Sequence, residues 1–111
     1  MSAKTYDLNG LRVLEYAAEG PVVLDSRDIS DVLGEAFSNQ AQLIVIAADR
    51  LSPNFYRLQT GLLGEFFQKL ANYGLRIAIV GDILPYTTSS KSLRDLVYES
   101  NKGEMAWFAS V

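Results

Sequence analysis

Leu43-Ile44-Val45-Ile46-Ala47-Ala48 is an unbroken apolar run of strand length, and Leu75-Arg76-Ile77-Ala78-Ile79-Val80-Gly81 is a second one further along the chain. Between them Phe55, Leu58, Leu62, Phe66, Leu70 and Tyr73 line one side of a helical pattern spanning residues 55–73, which Leu63 and Phe67 widen. Gly74 stands where a helix C-cap wants a left-handed residue. Strand, helix, strand in this order predicts a right-handed crossover and parallel pairing. Runs apolar at nearly every position predict central strands covered on both faces. Asp49 to Asn54 is the polar loop that joins the first run to the helix.

The same alternation extends outward. Upstream, Ile29, Val32, Leu33, Ala36 and Phe37 form an amphipathic stripe, with Ser26 or Asp28 as candidate cap and Asp31 in the first turn. Before it, Lys4–Leu8 and Leu11–Tyr16 flank Asn9-Gly10, a strong hairpin signal. After the turn at Glu19-Gly20-Pro21, Val22-Val23-Leu24 predicts a brief buried strand. Downstream, Pro85 to Ser90 reads as a loop. Ser92-Leu93-Arg94-Asp95 reads as a capping box opening a helix whose inner face is Leu93, Leu96 and Val97. Asn101-Lys102-Gly103 ends that helix, and Met105–Val111 predicts a last strand. The order is βββ-α-β-α-β-α-β: a single α/β domain, with an N-terminal β-hairpin, then β-α-β-α-β-α-β alternation in a mixed sheet with helices packed on it.

Composition narrows the function classes. The 111 residues are 49% hydrophobic and 21% charged, a globular balance for one domain. There is no cysteine and no histidine. Disulfides, thiolate nucleophiles and zinc–thiolate sites are excluded, and so are the commonest general base and the commonest transition-metal ligand. A net charge of −3, with eight of the thirteen acidic residues before residue 56, argues against a nucleic-acid partner. No apolar stretch reaches the length of a membrane span, and the first residues lack the apolar region of a signal peptide. The expectation is a cytoplasmic protein that is not an enzyme, with no cofactor, no metal, no nucleic acid and no membrane partner.

Two resemblances add to this reading. The strand at Leu43, the segment Leu58-Gln59-Thr60-Gly61-Leu62-Leu63-Gly64 at a helix start, and the strand ending Val80-Gly81-Asp82 resemble the STAS domain of bacterial anti-sigma factor antagonists. More specifically, Thr60–Glu65, Gln68–Tyr73, Leu75–Asp82 and Ser90–Gly103 resemble the uncharacterised bacterial family catalogued as domain of unknown function 4180, over nearly the whole chain. That resemblance implies one more helix after the last strand. This sequence stops at Val111, so the edge left there is an expected partner site. The STAS resemblance implies a regulatory protein-interaction module in which the hydroxyl before Gly-Leu, here Thr60, is phosphorylated by a partner kinase. Gln59 and the threonine itself depart from the usual pattern.

The residues suggest three candidate sites. Thr60 is the switch candidate, with a backbone-bonded hydroxyl or a small-ligand contact as the alternatives. Asp49, Arg50, Asp82 and Tyr86 sit at strand ends, where open α/β sheets bind small molecules or nucleotides, unless the aspartates merely cap helices or bind loop amides. Lys91, Arg94, Tyr98, Asn101 and Lys102 make a cationic and aromatic surface suited to an acidic partner, or else an ordinary solvated face. Gly61 and Gly64 are spaced to let a helix approach closely. Asp25, Asp28 and Asp31 lack calcium-loop spacing. Phe37, Phe55, Phe66, Phe67 and Leu70 are expected in the core. Spare apolar surface on the long helix, with an uncovered Trp107-Phe108, points to a homodimer.

Overall fold

The computed structural model describes residues 3–110. Asn9 and Gly10 both take positive φ, 49° and 86°, the backbone of a tight hairpin turn. This turn joins β1 (Ala3–Leu8) to β2 (Leu11–Tyr16) in antiparallel register, with Tyr6 opposite Val13 and Lys4 opposite Glu15. The chain then runs through α1 (Ser26–Ser38), β3 (Leu43–Ala47), α2 (Leu62–Asn72), β4 (Arg76–Val80), the short α3 (Leu84–Thr87), α4 (Lys91–Lys102) and β5 (Ala106–Ala109). Spatial order equals chain order, β1-β2-β3-β4-β5, and every pair after the hairpin is parallel. The α/β class, the hairpin and the alternation are as the sequence predicts.

Because each parallel connection steps one strand in the same direction, one-handed crossovers must carry all their helices over the same face. Burial shows this. One core cluster joins Ile29 and Val32 of α1, Leu63 and Phe66 of α2 and Leu93 of α4 with Leu14, Ile44, Ile46, Ile77, Ile79 and Phe108 of the sheet. These sheet residues are alternate positions in register with one another. Their neighbours Leu43, Val45, Ala47, Ala78, Val80 and Trp107 point the other way and are only half-buried. Among the described residues no helix covers that second face, which corrects the expectation of strands covered on both sides. A strand apolar on both faces reads the same in sequence whether its second face meets a helix or not.

Several local expectations change. The pattern over 55–73 is not one helix. Pro53–Tyr56 and Leu58–Thr60 are 3₁₀ turns, and α2 begins only after Gly61, whose φ of +78° no right-handed helix accommodates. Phe55 and Phe66 still meet edge to face at 6.1 Å, because turns and helix present the same apolar side. Val22-Val23-Leu24 is not a strand. Only Val23 bridges, to Leu51, while Val22 and Leu24 are exposed. The cap of α1 is Asp25, which accepts from the Arg27 and Asp28 amides, and not Ser26 or Asp28. The cap of α4 is Ser90, whose hydroxyl accepts from Leu93 N at 3.1 Å, and not Ser92. Pro85 to Ser90 contains the short helix α3. Phe37, expected in the core, is 78% exposed, and Tyr73, at the end of the apolar stripe, is 66% exposed. Phe108 enters it, with its ring 6.0 Å from Phe67. Of the last strand, Val111 lies outside the described residues. Gly61 and Gly64 have nothing within 4 Å of a built Cβ, so close helix approach is not their role.

Helices α1 and α2 end in the same motif. Leu75 N–H donates to Leu70 O and Gly74 N–H to Ala71 O. Likewise Ala41 N–H donates to Ala36 O and Gln40 N–H to Phe37 O. The left-handed position is a glycine in one case, Gly74 at φ 67°, and a glutamine in the other, Gln40 at φ 55°. Gln40→Gly should therefore stabilise the fold, by about 0.5–1 kcal/mol, as the strain of a side chain there is relieved. Urea unfolding measures it, and an unchanged midpoint would contradict the assignment.

Candidate functional site

The carboxyl ends of β3 and β4 place the strand-end candidates, and the structure separates them. Arg50 is 2% exposed. Its guanidinium lies 5.6 Å from the Tyr16 ring centroid and donates to three carbonyls, those of Pro21 at 2.8 Å, Ala17, and Glu19 at 3.4 Å. It thus gathers the 17–21 loop onto the end of β3, and its own backbone continues the clasp, since Val23 N–H donates to Arg50 O. Gly20, at φ 152°, sits so close that a Cβ would come within 2.9 Å of the guanidinium carbon. Its Nε and Nη1 are thus taken by protein carbonyls, and the side chain is almost wholly enclosed. Asp49 beside it is exposed. Asp82 accepts the Leu84 amide at 2.9 Å, the loop-amide role, from the residue before the cap position Ile83. The sheet runs in one direction without reversal, so the crevice that opens where strand order turns back is not formed.

Tyr86 belongs elsewhere. Its ring stacks on Tyr56, centroids 4.5 Å apart and planes 15° from parallel. Tyr56 donates its hydroxyl to Ala48 O at 2.8 Å, and burial raises its phenol above the ordinary tyrosine range. Tyr56, Arg57, Gln59, Tyr86, Ser89 and Ser90 line a cavity of about 360 Å³. Tyr56 and Arg57 escape a sequence reading that runs one helix through them. The bracketing Pro53 and Gly61 are the signal that residues 53–60 form a loop built of turns. A larger groove, about 1130 Å³, runs between α1 and α2 past Leu33, Gly34, Ala41 and Leu75, rimmed by the exposed Phe37 and Tyr73.

Thr60 adjoins the smaller cavity in sequence and closes the loop before α2. It is exposed. Its hydroxyl lies 2.7 Å from Asn54 O and 2.9 Å from Arg57 O, either of which accepts its proton, and it receives the Leu62 amide at 3.3 Å. Gly61 offers no side chain to cap α2, so Thr60 stands at the positive end of that helix in place of a cap. Five residues after Thr60, Glu65 accepts the Ser26 hydroxyl at 2.7 Å and pairs with Lys69 at 3.1 Å. The Ser26 hydrogen bond, then Lys69, holds this carboxyl below the usual glutamate range.

On α4, the charged candidates are engaged within the chain. Lys91 pairs with Asp95 at 2.9 Å, Arg94 donates to Thr87 O at 2.7 Å, and Lys102 lies 4.2 Å from the Tyr98 ring centroid and 3.7 Å from Glu99. Asn101 faces β5: its amide donates to Phe108 O at 3.1 Å and its oxygen accepts Phe108 N–H at 2.7 Å. Among the described residues no three acidic side chains gather as a metal site would need, and Asp25 and Asp28 serve backbone amides. No helix among them is long and apolar enough to cross a membrane.

Fold and site together define a small α/β protein with helices on one side of a five-stranded mixed sheet. Residues 8–111 match the family described as Domain of unknown function (DUF4180), and the chain belongs to that family. No curated protein and no solved structure matches it.

Two measurements separate the roles assigned here. Arg50→Met should cost about 2–4 kcal/mol in urea unfolding, because charge-assisted bonds to several carbonyls vanish together, whereas Asp49→Asn should stay within about 0.5 kcal/mol. A ligand-binding Arg50 would give the opposite ranking. For Glu65, a lowered folded pKa means stability that is complete above the ordinary glutamate value and lost as pH falls through the lowered one. Ser26→Ala should therefore flatten the acid limb of stability against pH, and an unaltered limb would refute the link.

Proposed function

We propose that this protein is a non-catalytic regulatory module resembling the STAS domains, docking a protein partner through the loop before α2 and switched by phosphorylation of Thr60. The observation that carries this reading is the position of the Thr60 hydroxyl: exposed, at the positive end of α2, and bonded to the loop it closes. A phosphate here would remove the proton now given to Asn54 O or Arg57 O, freeing that loop. Its oxygens would still meet the Leu62 amide and the helix dipole, with the Arg57 guanidinium on the same loop. Loop shape and about two units of charge would thus change together at one surface. The absence of histidine and cysteine from the sequence supports action by docking.

Peptide mass mapping of the protein isolated from its native host is the test. A phosphate on the Thr60 peptide, abolished in Thr60→Ala, is expected. Full coverage of that peptide without phosphate, under all growth conditions sampled, would remove the switch. A second reading, a small-molecule or nucleotide-binding domain, is favoured by one observation, the Tyr56–Tyr86 stack beside a cavity of about 360 Å³. Its measure is a rise in melting temperature on nucleotide addition that Tyr86→Ala abolishes, and a flat response across nucleotides would dismiss it.

A further inference from the structure

The uncovered sheet face has a charge pattern that identifies what it fits. Its centre is apolar, with Val13, Leu43, Val45, Ala78 and Val80 turned away from the helices. Val13 is fully buried yet lies outside the core cluster, with Tyr6 directly across the ladder and Glu15 two residues on. Four further residues on this face sit symmetrically about the middle strand, β3. Glu15 on β2 lies in the same row as Val45, with Arg76 on β4 in the adjacent row. Lys4 on β1 and Trp107 on β5 close the row of Val45 at its two ends. Among the described residues neither Arg76 nor Lys4 makes an ion pair. Among the described residues Glu15 has only the Tyr6 hydroxyl, at 2.6 Å from one oxygen, as its side-chain partner.

We infer that this face docks a second copy of the same chain, sheet against sheet, about a two-fold axis running along β3. That axis lays β2 over the partner's β4 and β1 over the partner's β5. Arg76 then reaches the partner's Glu15 and Lys4 lies over the ring of the partner's Trp107, each contact occurring twice as an isologous interface requires, while Val45 meets the partner's Val45 on the axis itself. The other two-fold in the plane of the sheets, running across the strands, would lay β2 over the partner's β2 and β4 over the partner's β4, bringing like charges toward each other and leaving Glu15 and the partner's Arg76 two strands apart. The charge pattern therefore selects one dimer and rejects the other. Packed sheets keep their strands within about 30° of each other, which long side chains such as Arg76 accommodate. Five strands spaced about 4.8 Å, five residues long, give roughly 400 Å² of flat footprint per copy before side-chain relief is added. Two such faces approach the order of 1,000 Å² that a specific interface needs.

Sedimentation equilibrium of the full chain tests this, with circular dichroism as the check on folding. The wild type should be a concentration-dependent dimer and Val45→Arg a folded monomer. Glu15→Arg and Arg76→Glu should each weaken dimerisation roughly tenfold or more, and the double variant should regain most of the loss, since the pair is re-formed with its charges exchanged. These surface charge reversals keep the test intact even where Val45→Arg fails to fold. A wild type that stays monomeric at its highest soluble concentration overturns the inference. So does a dimer indifferent to all these changes, a double variant no better than the singles, or a dimer lost instead in Phe37→Ser, which would place the contact in the α1–α2 groove.

Discussion

The direction of the crossovers is the constraint from which the architecture follows. Three parallel connections each advance one strand the same way, and a single handedness then puts α1, α2 and α4 on one side. The core is consequently one-sided: Ile44, Ile46, Ile77 and Ile79 meet the helices, while Val45, Ala78 and Val80 do not. A sheet that never reverses also forms no central crevice at its strand ends, and there Asp82 binds a loop amide and Arg50 clasps loop carbonyls. The chain leaving β2 must still cross to the helix side before α1. Arg50 holds it during that crossing, its buried guanidinium bonded to neutral carbonyls beside the Tyr16 ring, with no carboxylate partner among the described residues. Tyr16 in turn donates to Glu35 of α1 at 2.7 Å, and burial followed by that bond raises its phenol. Strand, loop and helix are thus tied through adjacent polar groups.

Much of this was legible from residues alone, because periodicity and turn chemistry are local. The hairpin at Asn9-Gly10, the apolar strands at Leu43 and Leu75, and the glycine stop at Gly74 needed no tertiary information. What failed did so for identifiable reasons. Residues 55–60 keep a helical spacing of apolar groups although the backbone forms 3₁₀ turns, since three residues per turn and 3.6 present nearly the same side over so short a stretch. Phe37 fits the stripe of α1 yet projects past the edge of the core, where the stripe is wider than the surface it covers. Ser90 and Ser92 both have the chemistry of a cap, and only backbone geometry selects Ser90.

The candidate sites divide along the same line. Thr60 lies at a helix start, as the STAS resemblance implies, whereas periodicity alone runs one helix through it. The cluster around Tyr86 was not legible, because the Tyr56–Tyr86 stack joins residues from separate loops. The charges of α4 looked available in sequence and prove to be spoken for, by ion pairs one turn apart and by the carbonyls of Thr87 and Thr88. Strand order was the deepest omission. Nothing local distinguishes a sheet wound both ways from one wound in a single direction, so the bare face emerged only from register.

The carboxamide of Asn101 has one more consequence. By holding both free backbone groups of Phe108, it stands where an incoming strand would have to pair, so another chain could lengthen the β5 edge there only by displacing it. An open-ended fibre built edge to edge needs two receptive margins, and on this one a side chain of the molecule itself competes for the place of the next strand.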